Sequence, residues 1–494
     1  MGTRVSGGQE VTSLALGTWF GASLAGAVGG WTLEYRSVGG GGPAVLAVLC
    51  SVSLLPALAV LGDKAASGRW AAGGALLGAV LMIGPLLAVI NEGATPLWAA
   101  RTDRPLGLKA VGSWTTEDLV IRSRPDRVTA RALSDGIVAW RWTPPRRDVV
   151  CTMSRETTEG VALLGHAPET KPCTSVVALD LATGRVRWTT TLPAGAVPAA
   201  GARPDLVAAG HGLAVVPAAD GWRGLDAADG KERWRTGTAP GCVPLLAHTD
   251  PDGRTADAPV VTVADCGPDK APVLRTLTAG GGRRLSRTEL PARGVPRELA
   301  VLAARPLAVW VWESETRGTR AVLSYDPLGR KRATVPVSTR DGELRVVPAL
   351  GDRPAPVFAA RPTRTAVVVG EILIMPRVRP GDYKELANGK GGNVRRRSRL
   401  DGLSLATGRV LWTTEEFHGH LQGLTRDGAS VWALQDEEML RIRIATGGME
   451  QSVYLHGPRP SRRPADLWVR GDVYAVVNED GTDDYAPVRV LRHS

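Results

Sequence analysis

The chain has 494 residues, a formal net charge of +11 and 15 Trp against 3 Phe, which excludes a single small core and suits a fold whose repeated units dock through indoles. Arg far outnumbers Lys beside abundant Ala, Gly and Pro, so the basic balance reads as compositional bias before it reads as the mark of a partner. No G-x-S-x-G elbow, Walker loop or glycine-rich dinucleotide fingerprint occurs, and the chemistries those motifs carry have no foothold here.

Three uncharged runs come first, at 11–33, 43–61 and 71–90, each about the length that crosses a hydrocarbon core. They predict a three-helix transmembrane region over residues 1–91. The first run is diluted by Gly, Ser and Thr, and its alternative is a signal-like or interfacial segment. The loop 62–70 holds Lys64 and Arg69 whereas 34–42 holds only Arg36 as a basic residue, so the positive-inside rule puts the former in the cytoplasm. A multi-pass plasma-membrane protein follows, with everything beyond residue 91 extracytoplasmic and away from nucleic acid. Residues 92–110 lack apolar periodicity and read as a linker.

Beyond residue 110 the chain repeats itself. Residues 178–188, ALDLATGRVRW, have the form A-x-D-x-x-T-G-x-x-x-W: a strand reaching Asp180, a turn at Thr183 and Gly184, and a second strand carrying Trp188. Gly184 supplies the positive φ that a tight reversal demands. Residues 224–234, GLDAADGKERW, repeat it with Asp226, Gly230 and Trp234, and residues 402–412, GLSLATGRVLW, with Thr407, Gly408 and Trp412. Weaker copies stand at 132–140, 325–333 and 442–450. Trp142, Trp188 and Trp234 are about 46 residues apart, and Gly230, Gly281 and Gly329 continue at roughly that step, the period of a four-stranded blade. The predicted fold is an all-β propeller over 111–494 with about eight four-stranded blades, seven being the alternative. The last blade is expected to draw on both ends of the chain, which leaves no open sheet edge. Residues 210–212, GHG, are expected to turn between outer strands of their blade.

Cys151 with Cys173, and Cys242 with Cys266, each open on the first strand of a blade and close one or two strands later. Two intrablade disulfides are expected, with four buried thiols as the alternative. Neither spacing is the C-x-x-C of a zinc site. His418 and His420 lack a third ligand, and Asp250, Asp252 and Asp257, like Asn478, Asp480, Asp483 and Asp484, lack the spacing and closing Glu of a calcium loop. No metal site is expected. A basic insertion at 376–399 ends in Arg395, Arg396, Arg397 and Arg399; it reads either as a solvated loop or as a contact for anionic headgroups or an acidic partner.

The A-x-D-x-x-T-G-x-x-x-W repeats resemble those of the pyrroloquinoline quinone (PQQ)-like β-propeller superfamily, which includes quinoprotein dehydrogenases and an outer-membrane assembly lipoprotein that uses the propeller as a scaffold. The three spans, the lead-in GSWTTEDLV at 112–120 and the paired cysteines are similar to membrane-anchored PQQ-like repeat proteins of actinobacteria. For a dehydrogenase the resemblance implies a vicinal Cys-Cys disulfide over the quinone and a carboxylate and amide set around calcium, and the sequence presents neither. The resulting expectation is a non-catalytic envelope module that binds or scaffolds a protein or other envelope component, without PQQ, calcium or another cofactor. Its alternatives are a PQQ- or sugar-dependent dehydrogenase, which needs carboxylates converging on a central funnel, and an envelope ligand sensor, which needs a closed pocket. The scaffold reading also expects an exposed aromatic patch drawn from Trp222, Trp310, Trp312, Trp432 and Trp468.

Overall fold

A computed structural model describes residues 93–105, 108–169, 171–193, 205–250, 257–313, 318–344, 365–378, 397–418, 421–456, 465–479, 481 and 485–493. The three expected spans and most of the basic insertion, 379–396, lie outside them. Among the described residues no helix is long and apolar enough to cross a membrane. The chain divides into two units, 1–95 with 452–456 and 493–494, and 96–451 with 457–492. In the described part of the first, Ala94 bridges Leu455 in parallel. The second is an all-β propeller of eight blades.

Seven blades are four-stranded antiparallel sheets, and the sixth is a seven-stranded sheet built around Ile372–Val378 and Arg397–Ser404. Blades 1 to 5 begin with Gly112–Thr115, Val149–Met153, Ala208–Gly210, Val243–Thr249 and Glu298–Ala304. Blade 7 begins with Leu421–Asp427 and blade 8 with Ala465–Arg470. Neighbouring first strands lie against one another around the centre, and their side chains are largely buried. Fourth strands face solvent, as the alternation of Val186–Thr191 shows. The GHG turn therefore belongs to the inner side, joining the first two strands of blade 3 at Ala208–Gly210 and Leu213–Ala218, and not to the outer strands expected.

The eighth blade takes its fourth strand from the other end of the chain. Ala94–Ala99 pairs with Val488–His493, next to Val473–Asn478 and Ala465–Arg470. Residues 94–99 fall in the stretch read as a linker; the Pro-interrupted ATPLWA shows no alternation, with Ala94 buried, Trp98 packed on the core and the residues between them exposed.

Why the repeat has its form is visible at each junction. The small residue two before the Asp faces the Trp across the hairpin, as Ala178 with Trp188, Gly224 with Trp234 and Gly402 with Trp412. A Cβ on Gly224 or Gly402 would stand 2.2 or 2.1 Å from the indole. The indole N–H then donates to a carbonyl of the next blade: Trp140 to Leu181 at 3.0 Å, Trp188 to Ala227 at 3.0 Å, Trp234 to Ala279 at 2.8 Å and Trp412 to Ile444 at 2.8 Å. Each ring also covers the next blade's turn glycine, namely Gly184, Gly230, Gly282 and Gly447, all at positive φ. Trp140 rather than Trp142 thus holds the repeat position in blade 1, and Gly282 rather than Gly281 in blade 4. Trp98 performs the same task for blade 8, donating to Leu133 at 2.9 Å and covering Gly136. Blades 4 and 5 place Ser286 and Ala333 where the Trp would stand; Thr288 Oγ1 donates to the Gly329 carbonyl at 2.7 Å in its stead.

Charge closes the ring where the ends of the chain meet. Asp103 accepts from Arg122 at 2.7 Å and Arg124 at 2.9 Å, both guanidiniums being buried. Arg122 also donates to the carbonyls of Asn478 and Glu479 in blade 8. Ser113 Oγ donates to Asp466 and accepts from Trp468 Nε1.

Cys151–Cys173 and Cys242–Cys266 are disulfides, with Cα atoms 5.9 and 4.0 Å apart, each within one blade. Reduction is expected to cost about 3 kcal/mol for a loop of this length in the chain-entropy model. The urea midpoint of the solubilised chain with and without reductant measures it, and coincident curves would rule that contribution out.

Candidate functional site

The repeat residues that dominate the sequence are spread around the ring as turns and junctions. Asp180 accepts from the Thr183 N–H at 2.9 Å, the Thr183 hydroxyl at 2.9 Å and Arg187 at 2.7 Å. Burial pushes its carboxyl up, but the Arg187 and Thr183 hydrogen bonds outweigh that and hold it below the ordinary value. The Arg233 hydrogen bond, with the Ala228 N–H, does the same for Asp226. Thr407 donates its N–H to Ser404 Oγ at 3.2 Å, and Gly408 lies against the Thr334 carbonyl.

The other expected residues fare differently. Arg395 and Arg396 lie outside the described residues, Arg397 opens the strand Arg397–Ser404, and Arg399 approaches the buried Asp401 of its own strand at 3.6 Å. Asp401 also holds Arg377, so Arg399 is drawn back to its blade instead of standing free. The aromatic patch is not formed as expected: Trp222, Trp310 and Trp432 are buried, Arg320 lies over Trp312 and Trp468 donates to Ser113. Among the described residues the exposed large apolar side chains are instead Leu97, Val186, Val410, Leu411 and Met449 on fourth strands, with Ile137, Val295 and Leu328 between strands. A cleft of about 590 Å³ on blade 7 is lined by Asp427, Ser430, Arg441, Arg443 and Glu450, whose charges pair among themselves.

The propeller's centre holds a polar cluster that the sequence marked only in fragments, at Asp250 and in the GHG turn, and did not assemble. Arg155, in the loop after the first strand of blade 2, is 4% exposed. Its Nη2 donates to Asp205 of blade 3 at 2.8 Å, and its Nη1 donates to the Val301 carbonyl of blade 5 at 2.9 Å. The same Nη1 lies 3.0 Å from His248 Nδ1 of blade 4. One side chain thereby ties four blades together across the channel. His248 Nε2 faces Asp250 at 3.0 Å, and Asp250 accepts from the N–H groups of Ala304 and Arg305 at 2.9 and 2.8 Å. Burial raises the Asp250 carboxyl, yet His248 and the two N–H groups hold it below its ordinary value. His211 stands beside them at φ 59°, its ring nitrogens without partners. Burial lowers the pKa of His211, against the pull of Asp250. Asp205 Oδ1 and Arg155 Nε are also buried without a hydrogen-bond partner. Carboxylates do converge on the centre, but they are engaged by a guanidinium, an imidazole and backbone N–H groups. Among the described residues no set of three or more His, Cys, Asp or Glu is placed to hold a metal. The signal for this cluster was weak in the sequence because its members sit on four blades, up to 146 residues apart.

Residues 171–293 match the family model described as outer membrane protein assembly factor BamB. Over that span the chain is similar to PQQ-like propeller repeats. The matched segment runs from the second half of blade 2 through blade 4 and includes the Trp188 and Trp234 junctions. Solved structures similar to the chain include BamB from Moraxella catarrhalis, at 15% identity over 81% of this chain and 97% of that one, with a TM-score of 0.45. The computationally designed Ika8 protein is 12% identical over 81% and 99%, with a TM-score of 0.49. Quinohemoprotein alcohol dehydrogenase from Comamonas testosteroni is 12% identical over 81% and 76%, with a TM-score of 0.47. Among curated proteins none matches. The fold by itself does not fix a function.

Proposed function

We propose that this chain is a membrane-anchored, extracytoplasmic propeller that binds or scaffolds a protein or other component of the cell envelope, without catalysis and without PQQ or calcium. The observation that carries this reading is the engagement of Arg155 at the propeller's centre with Asp205, His248 and the Val301 carbonyl, which ties blades 2 to 5. A quinone held over calcium needs carboxylates free to take the ion, whereas Asp205 Oδ2 is bonded to Arg155 and Asp250 to His248 and two backbone N–H groups. The two disulfides favour an oxidising compartment, in keeping with the orientation read from Lys64 and Arg69. Loops and outer strands on a rigid frame are then the surfaces available for recognition.

Photo-crosslinking residues at Val186 and Leu411, exposed at 40% and 54%, test the reading in the native envelope. Discrete, heavier adducts in the membrane fraction are expected. Adducts with cytosolic proteins only, or none at any fourth-strand position, would count against it.

A further inference from the structure

We infer that His248 is a proton-operated latch: the neutral imidazole holds Arg155 across the channel, and its protonation releases Arg155 from blades 4 and 5. The reasoning is one of donors and acceptors. A guanidinium has no acceptor to offer, so the contact of Arg155 Nη1 with His248 Nδ1 at 3.0 Å requires Nδ1 to carry a lone pair. The ring proton then sits on Nε2 and is donated to Asp250, which its two backbone N–H donors hold in place. A proton added at Nδ1 turns that contact into donor against donor between two cations. Asp250 keeps the imidazolium, and Arg155 is the partner that leaves.

The charged and titratable described groups facing His248 are Arg155 from blade 2, Asp205 and His211 from blade 3 and Asp250 at the end of its own strand, while blade 5 contributes only backbone N–H groups and the Val301 carbonyl. Glu159, on the Arg155 loop, lies farther out against Gly212. Arg155 also has somewhere to go, because Asp205 Oδ1 is buried and unpartnered and a carboxylate accepts a guanidinium through both oxygens. Protonation thus exchanges a tie across four blades for a tighter pair between blades 2 and 3. The side released is that of blades 4 and 5, whose junction carries Thr288 in place of a Trp.

Hydrogen exchange of the full chain in detergent, corrected for the intrinsic effect of pH, reads the latch directly in peptides covering 150–158 and 298–306. On moving from about pH 7.5 to about pH 5, exchange there is expected to rise roughly tenfold, the order of one lost hydrogen bond to a charged group. His248→Gln, which keeps a neutral side chain that takes no proton, is expected to abolish the rise, while His211→Gln retains it. Should His248→Gln fail to fold, Arg155→Ala serves: without the arginine these peptides exchange fast at both pH values. An unchanged wild type, a pH response that persists in His248→Gln, or one that persists in Arg155→Ala overturns the inference.

Discussion

Asp103→Ala is expected to destabilise the propeller by about 3–5 kcal/mol, the penalty for leaving a buried charge unpaired. Asp103 is the shared acceptor of Arg122 and Arg124, whose side chains are 6% and 5% exposed. Removing it takes the shared carboxylate from Arg122 and Arg124 at the seam where residues 94–110 meet blade 8, although Arg124 keeps Asp126 at 3.0 Å. Arg122 keeps its bonds to the Asn478 and Glu479 carbonyls, but carbonyls do not neutralise a cation. The comparison that isolates charge is Arg122→Met with Asp103→Ala in a double-mutant cycle, read from urea midpoints of the solubilised chain. The double variant should be less impaired than the sum of the single ones. A loss below about 1 kcal/mol for Asp103→Ala would mean that the seam is solvated and that the closure rests on strand pairing alone.

Trp234→Ala is expected to cost about 3–5 kcal/mol, as large-to-small changes of buried aromatics do. The indole is 6% exposed, covers Gly282 and donates to Ala279 at 2.8 Å. Its removal opens a cavity between blades 3 and 4 and leaves a carbonyl without its donor. Trp142 is the comparison, since it lies on the same strand as Trp140 but covers no turn glycine, packing partly buried on the core between blades 1 and 2 and tilted against His166 at 6.1 Å. Trp142→Ala should cost nearer 1 kcal/mol, the ordinary range for a partly exposed site. Equal losses at the two positions would contradict the junction role.

The same junction shows how far the sequence could be read. Asp180, Gly184 and Trp188 announce a hairpin locally: the turn chemistry is contained in eleven residues, and the repetition of that hairpin at 224–234 and 402–412 is enough to reach a propeller. Both cysteine pairs were legible for a similar reason, because each closes inside one blade. Where the decisive contact is between distant residues the reading failed. Trp98 has no Thr-Gly before it, since its strand arrives from the far end of the chain and pairs with Val488–His493; nothing local distinguishes it from a linker tryptophan. The period was set by Trp142 and Gly281, one strand position and one residue away from the docking pair, because spacing alone does not say which of two neighbouring side chains faces the next blade. The central cluster went unassembled for the strongest reason. Arg155, Asp205, His248 and Asp250 are unremarkable residues in four loops and strand ends, and only the ring brings them within hydrogen-bonding distance.

The expectation of an aromatic patch failed through packing. Trp310 and Trp432 stand on second strands, which every blade buries between its neighbours, so a tryptophan that is free of junction duty is still consumed by the core. Among the apolar side chains left exposed in the described residues, Val186, Val410 and Leu411 stand at the start of fourth strands, the solvent-facing strands of each blade.

The claim that the carboxylates at the propeller's centre are engaged by the protein's own groups is tested most directly by titrating the detergent-solubilised full chain with PQQ and calcium, following cofactor absorbance while assaying dye reduction with alcohols and aldose sugars. The expected result is no stoichiometric uptake and no turnover, with Arg155 remaining across the channel. Stoichiometric binding with turnover would contradict the account, and would require Asp205 and Asp250 to exchange Arg155 and His248 for the metal.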